Sequence, residues 1–337
     1  MIKKITIILI CFRVLILHGQ VYDGNITIES QAELDALIQP NGKLHLKKTI
    51  NGSVSIIAND IVNLNALSSI TSIKGDLQIS STLLLSLNGL ERVKKLGNLK
   101  ISHNTKLVSL RGLENLVTIE SIEIFLNGNL KSLIGLTSLK KMDKYLIIDD
   151  NDKLISISDF GVITIDGGIT IINNDALTSF SGLKLSSVKD IVISSNASLT
   201  SLIGLEKIKV VEKGVLIYKN NALTSLKGLH NITKIGEYLD IWGNSSLQSL
   251  IDLKKVVSIE GELHIADNNS LTSLIGLEKV TSIQSLSVEN NTQLKDLCAL
   301  STLITNQIGK LESYSVKYNK YNPTLIDFEN KKCSSDL

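Results

Sequence analysis

Asn221–Asn244 reads NALTSLKGLHNITKIGEYLDIWGN, and its pattern of leucines and isoleucines, one glycine and a closing asparagine returns about every 24 residues on both sides. Aligned on the LxSLxGL segment, copies begin at Leu84, Leu107, Leu130, Leu154, Leu177, Leu199, Leu223, Leu247, Leu271 and Leu294, with a degenerate copy at Ile61. The steps are 22 to 24 residues. A fixed period of this size predicts a solenoid, in which each coil buries its apolar side against its neighbours.

The second half of each copy follows φxxφxxφxGxφxφxxN, where φ is Leu, Ile, Val or occasionally Met. Leu239 and Ile241 are two apart, as are Ile191 and Ile193, Val215 and Ile217, and Leu263 and Ile265. That spacing puts both members on one face of a strand. The asparagine falls three residues after the second member, as at Asn196, Asn220, Asn244 and Asn268. It reads as a turn residue whose amide satisfies open backbone groups and which tolerates left-handed dihedrals.

Hydrophobic residues make up 43% of the 337, yet aromatics are 4% and prolines number two. This suits a narrow core stacked from Leu, Ile and Val. A coil offers about seven such side chains, each contributing roughly 1.5–3 kcal/mol on burial. Lys and Arg total 35 against 33 acids, and removal of Lys3, Lys4 and Arg13 with the first nineteen residues leaves 32. Near neutrality and the lack of interleaved basic and aromatic residues argue against a nucleic-acid partner.

Residues 1–19 have a basic start, an apolar run from Ile5 to Leu17 broken by Arg13, and a small residue before Gln20, the outline of a secretory signal peptide, the alternative being a misread start or an inner-membrane anchor. The run is too short to span a membrane, and Ile10 before Cys11 argues against lipoprotein processing. Residues 20–52 form an N-terminal cap, with a strand near Asn25, a helix over Gln31–Ile38 whose buried stripe is Ala32, Leu34, Leu37 and Ile38, and a strand at Lys43–Leu46. Residues 53–300 are the repeat solenoid, of about eleven coils. Residues 301–337 form a C-terminal cap. In an exported chain Cys298 and Cys333 most simply form a disulfide, the alternative being two free thiols.

Copies such as NNSLTSLIGLEKVTSI and the strand segment GELHIADN resemble the receptor L-domain repeat, a right-handed β-helix of leucine-rich type, and are most similar to its exported bacterial forms. In those, segments like ITIESQAELDAL and LCAL…YNPTLIDFENKKC open and close the repeat array. The resemblance therefore implies a mainly β solenoid and supports the Cys298–Cys333 pairing.

His45, His103, His230 and His264 fall in different copies, and none stands at motif spacing from a cysteine or serine, so no enzyme, cofactor or metal is expected. The serine of LxSL recurs as a turn hydrogen-bonder and not a nucleophile. Asp149–Asp150–Asn151–Asp152 has the oxygens for calcium without the spacing of a calcium loop. Sequons at Asn25, Asn196, Asn231 and Asn244 matter only in a glycosylating host. What rises above scaffold is the outward strand face, where Phe125, Tyr145, Ile147, Ile172, Val192, Leu216, Tyr218, Tyr238 and Trp242 gather in the middle copies, with polar residues at both ends. Such a patch predicts a non-catalytic, secreted or cell-surface recognition protein that binds a protein or glycan. The alternative is a structural part of the cell envelope with no single ligand site.

Overall fold

A computed structural model describes residues 19–158, 160 and 162–336, and these form two compact units, one through Leu139 and one from Lys140. The expected signal peptide lies outside the described residues, apart from Gly19.

Both units are parallel β-solenoids. In the first, the long strands Ile26–Ile28, Val54–Ile57, Leu77–Ser80, Asn98–Ser102 and Ser121–Phe125 pair in chain order. A row of two-residue strands, from Val21–Tyr22 to Thr118–Ile119, runs alongside. In the second unit, Leu146–Asp149, Gly168–Ile172, Asp190–Ser194, Val215–Tyr218, Leu239–Trp242, Glu262–Ala266, Ser285–Glu289 and Ser313–Lys317 pair in parallel, again in order.

The quoted repeat shows how one coil works. Leu223, Leu226, Leu229, Ile232, Ile235, Leu239 and Ile241 are all fully buried, the seven side chains the spacing predicts. Gly228 has φ +124°, and a Cβ there would lie 1.9 Å from the Leu202 carbonyl oxygen. Coils this close need a residue without a side chain and with left-handed freedom. Serines of the LxSL segment do accept turn hydrogen bonds, Ser249 Oγ from the Ile251 amide at 3.1 Å among them.

The closing asparagines do more than turn the chain. From Asn151 through Asn291 in the second unit each is fully buried, and its backbone amide donates to the Oδ1 of the next asparagine at 3.0–3.2 Å. Asn220 Nδ2 also donates to the carbonyls of Ile193 and Tyr218, at 3.0 and 3.1 Å. The left-handed residue is the one before, such as Asp150, Ser195, Lys219 or Asp267 at φ 52–55°. So the asparagine satisfies backbone groups as expected, but its predicted left-handed turn sits one residue earlier. A side chain able to donate and accept at once is what a buried ladder of carbonyls and amides requires.

The N-terminal helix spans Gln31–Ala36, capped by Ser30, whose Oγ accepts from the Glu33 amide at 3.2 Å. Leu34 and Leu37 are buried, whereas Ala32, two positions and so about 200° round the helix from Leu34, faces out, and Ile38 lies beyond the helix end and is exposed. Lys43–Leu46 is a turn and not a strand, with Leu46 at φ +59° and 76% exposed.

At the other end, helices Ser301–Gln307 and Leu325–Glu329 flank the last strand, and Phe328 is fully buried. The disulfide Cys298–Cys333 ties this cap to the last coil across 35 residues. Among the described residues, no helix is long and apolar enough to cross a membrane.

Candidate recognition face

Strand alternation decides which side chains face out. Along Leu239–Trp242 the pattern is buried, partly exposed, buried, partly exposed, and the parallel register carries it from rung to rung. One outward column of the second unit is Ile147, Thr170, Val192, Leu216, Asp240 and His264; the next is Asp149, Ile172, Ser194, Tyr218, Trp242 and Ala266. Ile147, Ile172, Val192, Leu216, Tyr218, Tyr238 and Trp242 are all half-buried and Tyr145 is 39% exposed, so no described segment seals the face.

The structure brings some expected residues together and separates others. Val192 and Leu216 are register partners, as are Tyr218 and Trp242. The rings of Tyr218 and Trp242 stack with centroids 4.7 Å apart and planes 12° from parallel, and Lys219 Nζ lies 5.1 Å from the Trp242 ring. Thr170 separates Ile147 from Val192. Ser194 stands between Ile172 and Tyr218 and is fully buried, so the larger side chains on either side close over it. Ala266 beside Trp242 is likewise buried. Phe125 belongs to the first unit, half-buried, with Lys100 Nζ 5.2 Å from its ring and His103 edge-on at 5.9 Å.

Tyr238 does not project as an anchor. A Cβ at Gly214 would lie 2.2–2.4 Å from three carbons of the Tyr238 ring, so the ring lies flat over that glycine. Its hydroxyl donates to Asp190 Oδ1 at 3.3 Å. Burial first, then the Asp190 charge and this hydrogen bond, push its pKa up to about 12. The five residues that precede successive strand cores are Tyr145, Gly168, Asp190, Gly214 and Tyr238, a sequence nearly symmetric about Asp190.

The symmetry breaks at Gly168. The atoms nearest a Cβ built there belong to Asp190, at 3.1, 3.2 and 3.7 Å, and no tyrosine ring atom lies closer. Above the glycine is an open hollow of about 430 Å³, walled by Tyr145, Ile147, Thr170 and Asp190. Lys144, Lys189 and Lys213 rim it. Asp190 and the three lysines are functional candidates that a search for outward apolar residues passes over. The signal that finds them is the column before the strands, where tyrosine, glycine and aspartate alternate.

Away from this middle region the face is polar. Asp240 Oδ1 is 2.7 Å from His264 Nδ1, and this hydrogen bond holds the imidazole pKa above its usual value against the opposing effect of burial. Ser287, Ser315 and Lys317 surround the Glu289 carboxylate and lower its pKa, the Ser315 hydrogen bond most. In the acidic turn, Asn151 is drawn into the buried ladder, and Asp150 is held above the usual carboxyl range by burial and by the charges of Asp149, Asp152 and Asp175. Among the described residues no group of three His, Cys, Asp or Glu side chains stands at metal-binding range.

No protein-family model matches the chain, and no curated protein does. Among solved structures it is similar to an LRR protein of Leptospira interrogans, at 16% identity over 90% of this chain and 91% of that one, with a TM-score of 0.32. By its own coils, the chain is a leucine-rich-repeat-like parallel β-solenoid, closed near its C-terminus by a disulfide.

Proposed function

We propose that this chain is a non-catalytic recognition protein of the receptor L-domain kind, exported by its first nineteen residues and acting in the cell envelope or outside it. Its strand face docks a protein or glycan partner. The observation that carries this reading is the stacked Tyr218–Trp242 pair, held partly exposed on adjacent rungs of a rigid sheet. Rigid aromatic side chains lose little entropy on binding and dominate interface energetics. Val192 and Leu216 widen the apolar area beside the pair, and Asp240 and His264 supply a polar border.

The test is capture of partners from a native envelope extract with the chain beginning at Gln20, alongside the Tyr218→Ser, Trp242→Ser double variant. The wild type should retain a defined partner, and the double variant should lose at least 2 kcal/mol, roughly thirtyfold in affinity. Equal capture by both proteins overturns the site. Many weak contacts and no single partner would indicate an envelope building element instead. Export is checked by the N-terminus of the mature protein, expected at Gln20.

A further inference from the structure

We propose that the N-terminal cap docks on the surface of an anionic lipid bilayer, with Leu46 and Ile38 entering the headgroup region and Lys47 and Lys48 meeting lipid phosphates. The strand face takes no part in this contact, so the inference goes beyond the recognition reading and stands or falls apart from it.

The turn that replaces the expected strand at Lys43–Leu46 carries the argument. Leu46 has φ +59° and is 76% exposed, and Ile38, just past the end of the cap helix, is 43% exposed. Glycine or asparagine would hold a left-handed backbone with less strain and would meet water more favourably than leucine. Both apolar residues line an open hollow of about 730 Å³, together with the buried Leu44 and Ala66. That volume falls in the usual range for small-molecule sites and has room for the glycerol and first acyl carbons of one lipid.

The charge around the hollow has one sign. His45, Lys47 and Lys48 line it, and among the described residues no carboxylate does. The five acids between Gln20 and Ser69 are all placed elsewhere. Glu29 and Glu33 line a separate hollow with Lys43. Asp35 accepts from the Gln31 side-chain amide at 2.9 Å, Asp60 accepts from the Gln31 backbone amide at 3.1 Å, and Asp23 accepts from Asn51. Lys47 Nζ donates to the Gly19 carbonyl at 2.9 Å, and removal of the first nineteen residues takes that acceptor away. Apolar side chains at a tip flanked by ammonium groups supply both parts of interfacial binding, insertion and attraction to anionic lipid.

The place of the hollow in the chain favours a bilayer over an acidic protein. Gly19 and Gln20 form part of its wall, and the apolar run from Ile5 ends at Leu17, two residues earlier. A leader engaged with a membrane through that run brings this wall to the bilayer surface.

The experiment is sedimentation of the chain from Gln20 with vesicles of phosphatidylcholine, alone or with about one-third phosphatidylglycerol. Binding to the anionic vesicles should be at least about tenfold tighter than to the neutral ones. Ile38→Ser with Leu46→Asn, and separately Lys47→Ser with Lys48→Ser, should each weaken it about tenfold with the thermal melt unchanged. Asparagine is chosen at Leu46 because it keeps the left-handed turn. Tyr218→Ser with Trp242→Ser should bind vesicles as the wild type does. The proposal fails if both vesicles bind alike or neither binds, or if neither cap variant changes binding. It fails too if glycerol 1-phosphate displaces the protein, which would make the hollow a site for a free phosphate ester. Loss of vesicle binding in the aromatic variant would move the membrane contact to the strand face and overturn it. A dimer in light scattering that Ile38→Ser with Leu46→Asn dissolves, without vesicle binding by the wild type, would make the patch a contact between copies and also overturn it.

Discussion

Ile241 and Trp242 are neighbours in the chain, yet they belong to regions built on opposite rules. The interior to which Ile241 contributes is nearly the same at every rung: Leu, Ile or Val at almost every inward position, with Met142 and Phe180 among the exceptions, then a buried asparagine bonded to the next. The face to which Trp242 contributes changes at each rung, from isoleucine to threonine, valine, leucine, aspartate and histidine along one column. A coil can stack only on a coil that presents the same shape and the same open hydrogen-bond groups, so the interior repeats. Outward side chains have no such partner to match. In a solenoid of this kind, what repeats holds the fold, and what departs from the repeat is where recognition can reside.

Breaking the ladder should produce the largest effect. In Asn220→Ala, the Asn196 backbone amide and Nδ2 lose their shared acceptor, the Ile193 carbonyl loses a donor, and the Tyr218 carbonyl is left with the Ser195 amide alone. At about 1–3 kcal/mol for each buried group that loses its partner, the loss should be on the order of 4 kcal/mol. Urea unfolding should show it as a lower midpoint. A shift below about 1 kcal/mol would mean that water reaches the ladder and replaces the amide.

The inward and outward residues of one strand provide the next contrast. Ile241→Ala leaves a cavity in a fully buried site and should cost about 2–5 kcal/mol. Tyr218→Ser with Trp242→Ser removes a stacked pair worth about 0.5–1.5 kcal/mol beyond its area, from positions that remain partly exposed, so the protein should stay folded. If thermal melts rank these variants in the opposite order, the assignment of faces fails. Reducing Cys298–Cys333 tests the end of the stack. It releases a 35-residue closure worth roughly 3–4 kcal/mol on the chain-entropy account, and exchange protection should fall first in the Ser313–Lys317 strand.

The interior was legible in the sequence because its signal is local and periodic. The two-residue spacing of Leu239 and Ile241 already places both inside, and the recurrence at 24 residues already implies stacking. The asparagine position was legible too, although its role was half read: the dihedral expected at Asn220 is found at Lys219. The cap was less so. Lys43–Leu46 has strand-like residues, but a turn with Leu46 in the left-handed region takes their place. The face was legible as a set of outward positions and not as a site. Whether Tyr238 projects or lies flat depends on Gly214 and Asp190, which are 24 and 48 residues earlier, and no single-residue pattern carries that relation.

The smallest predicted effect concerns the polar border of the face, where His264 meets Asp240 at 2.7 Å. The hydrogen bond to Asp240 raises the imidazole pKa, with lesser support from the charges of Asp240, Glu262 and Glu289 and opposition from burial. A group whose folded pKa exceeds its unfolded one adds stability that is complete below the unfolded value and is lost as the pH rises through the folded value. Stability from this pair should therefore be present at pH 5.5 and decline as the pH climbs above the usual imidazole range near 6.5. Both side chains are partly solvated, at 30% and 26% exposure, which keeps the effect under about 1 kcal/mol. Comparing melts of the wild type and His264→Gln at pH 5.5 and pH 8 isolates it, since other titrating groups contribute equally to both proteins. The difference between the two should be larger at pH 5.5. A difference that grows toward pH 8 would mean that the histidine is held neutral, donating to Asp240 without carrying charge, and the border would then offer a partner a negative group in place of an ion pair.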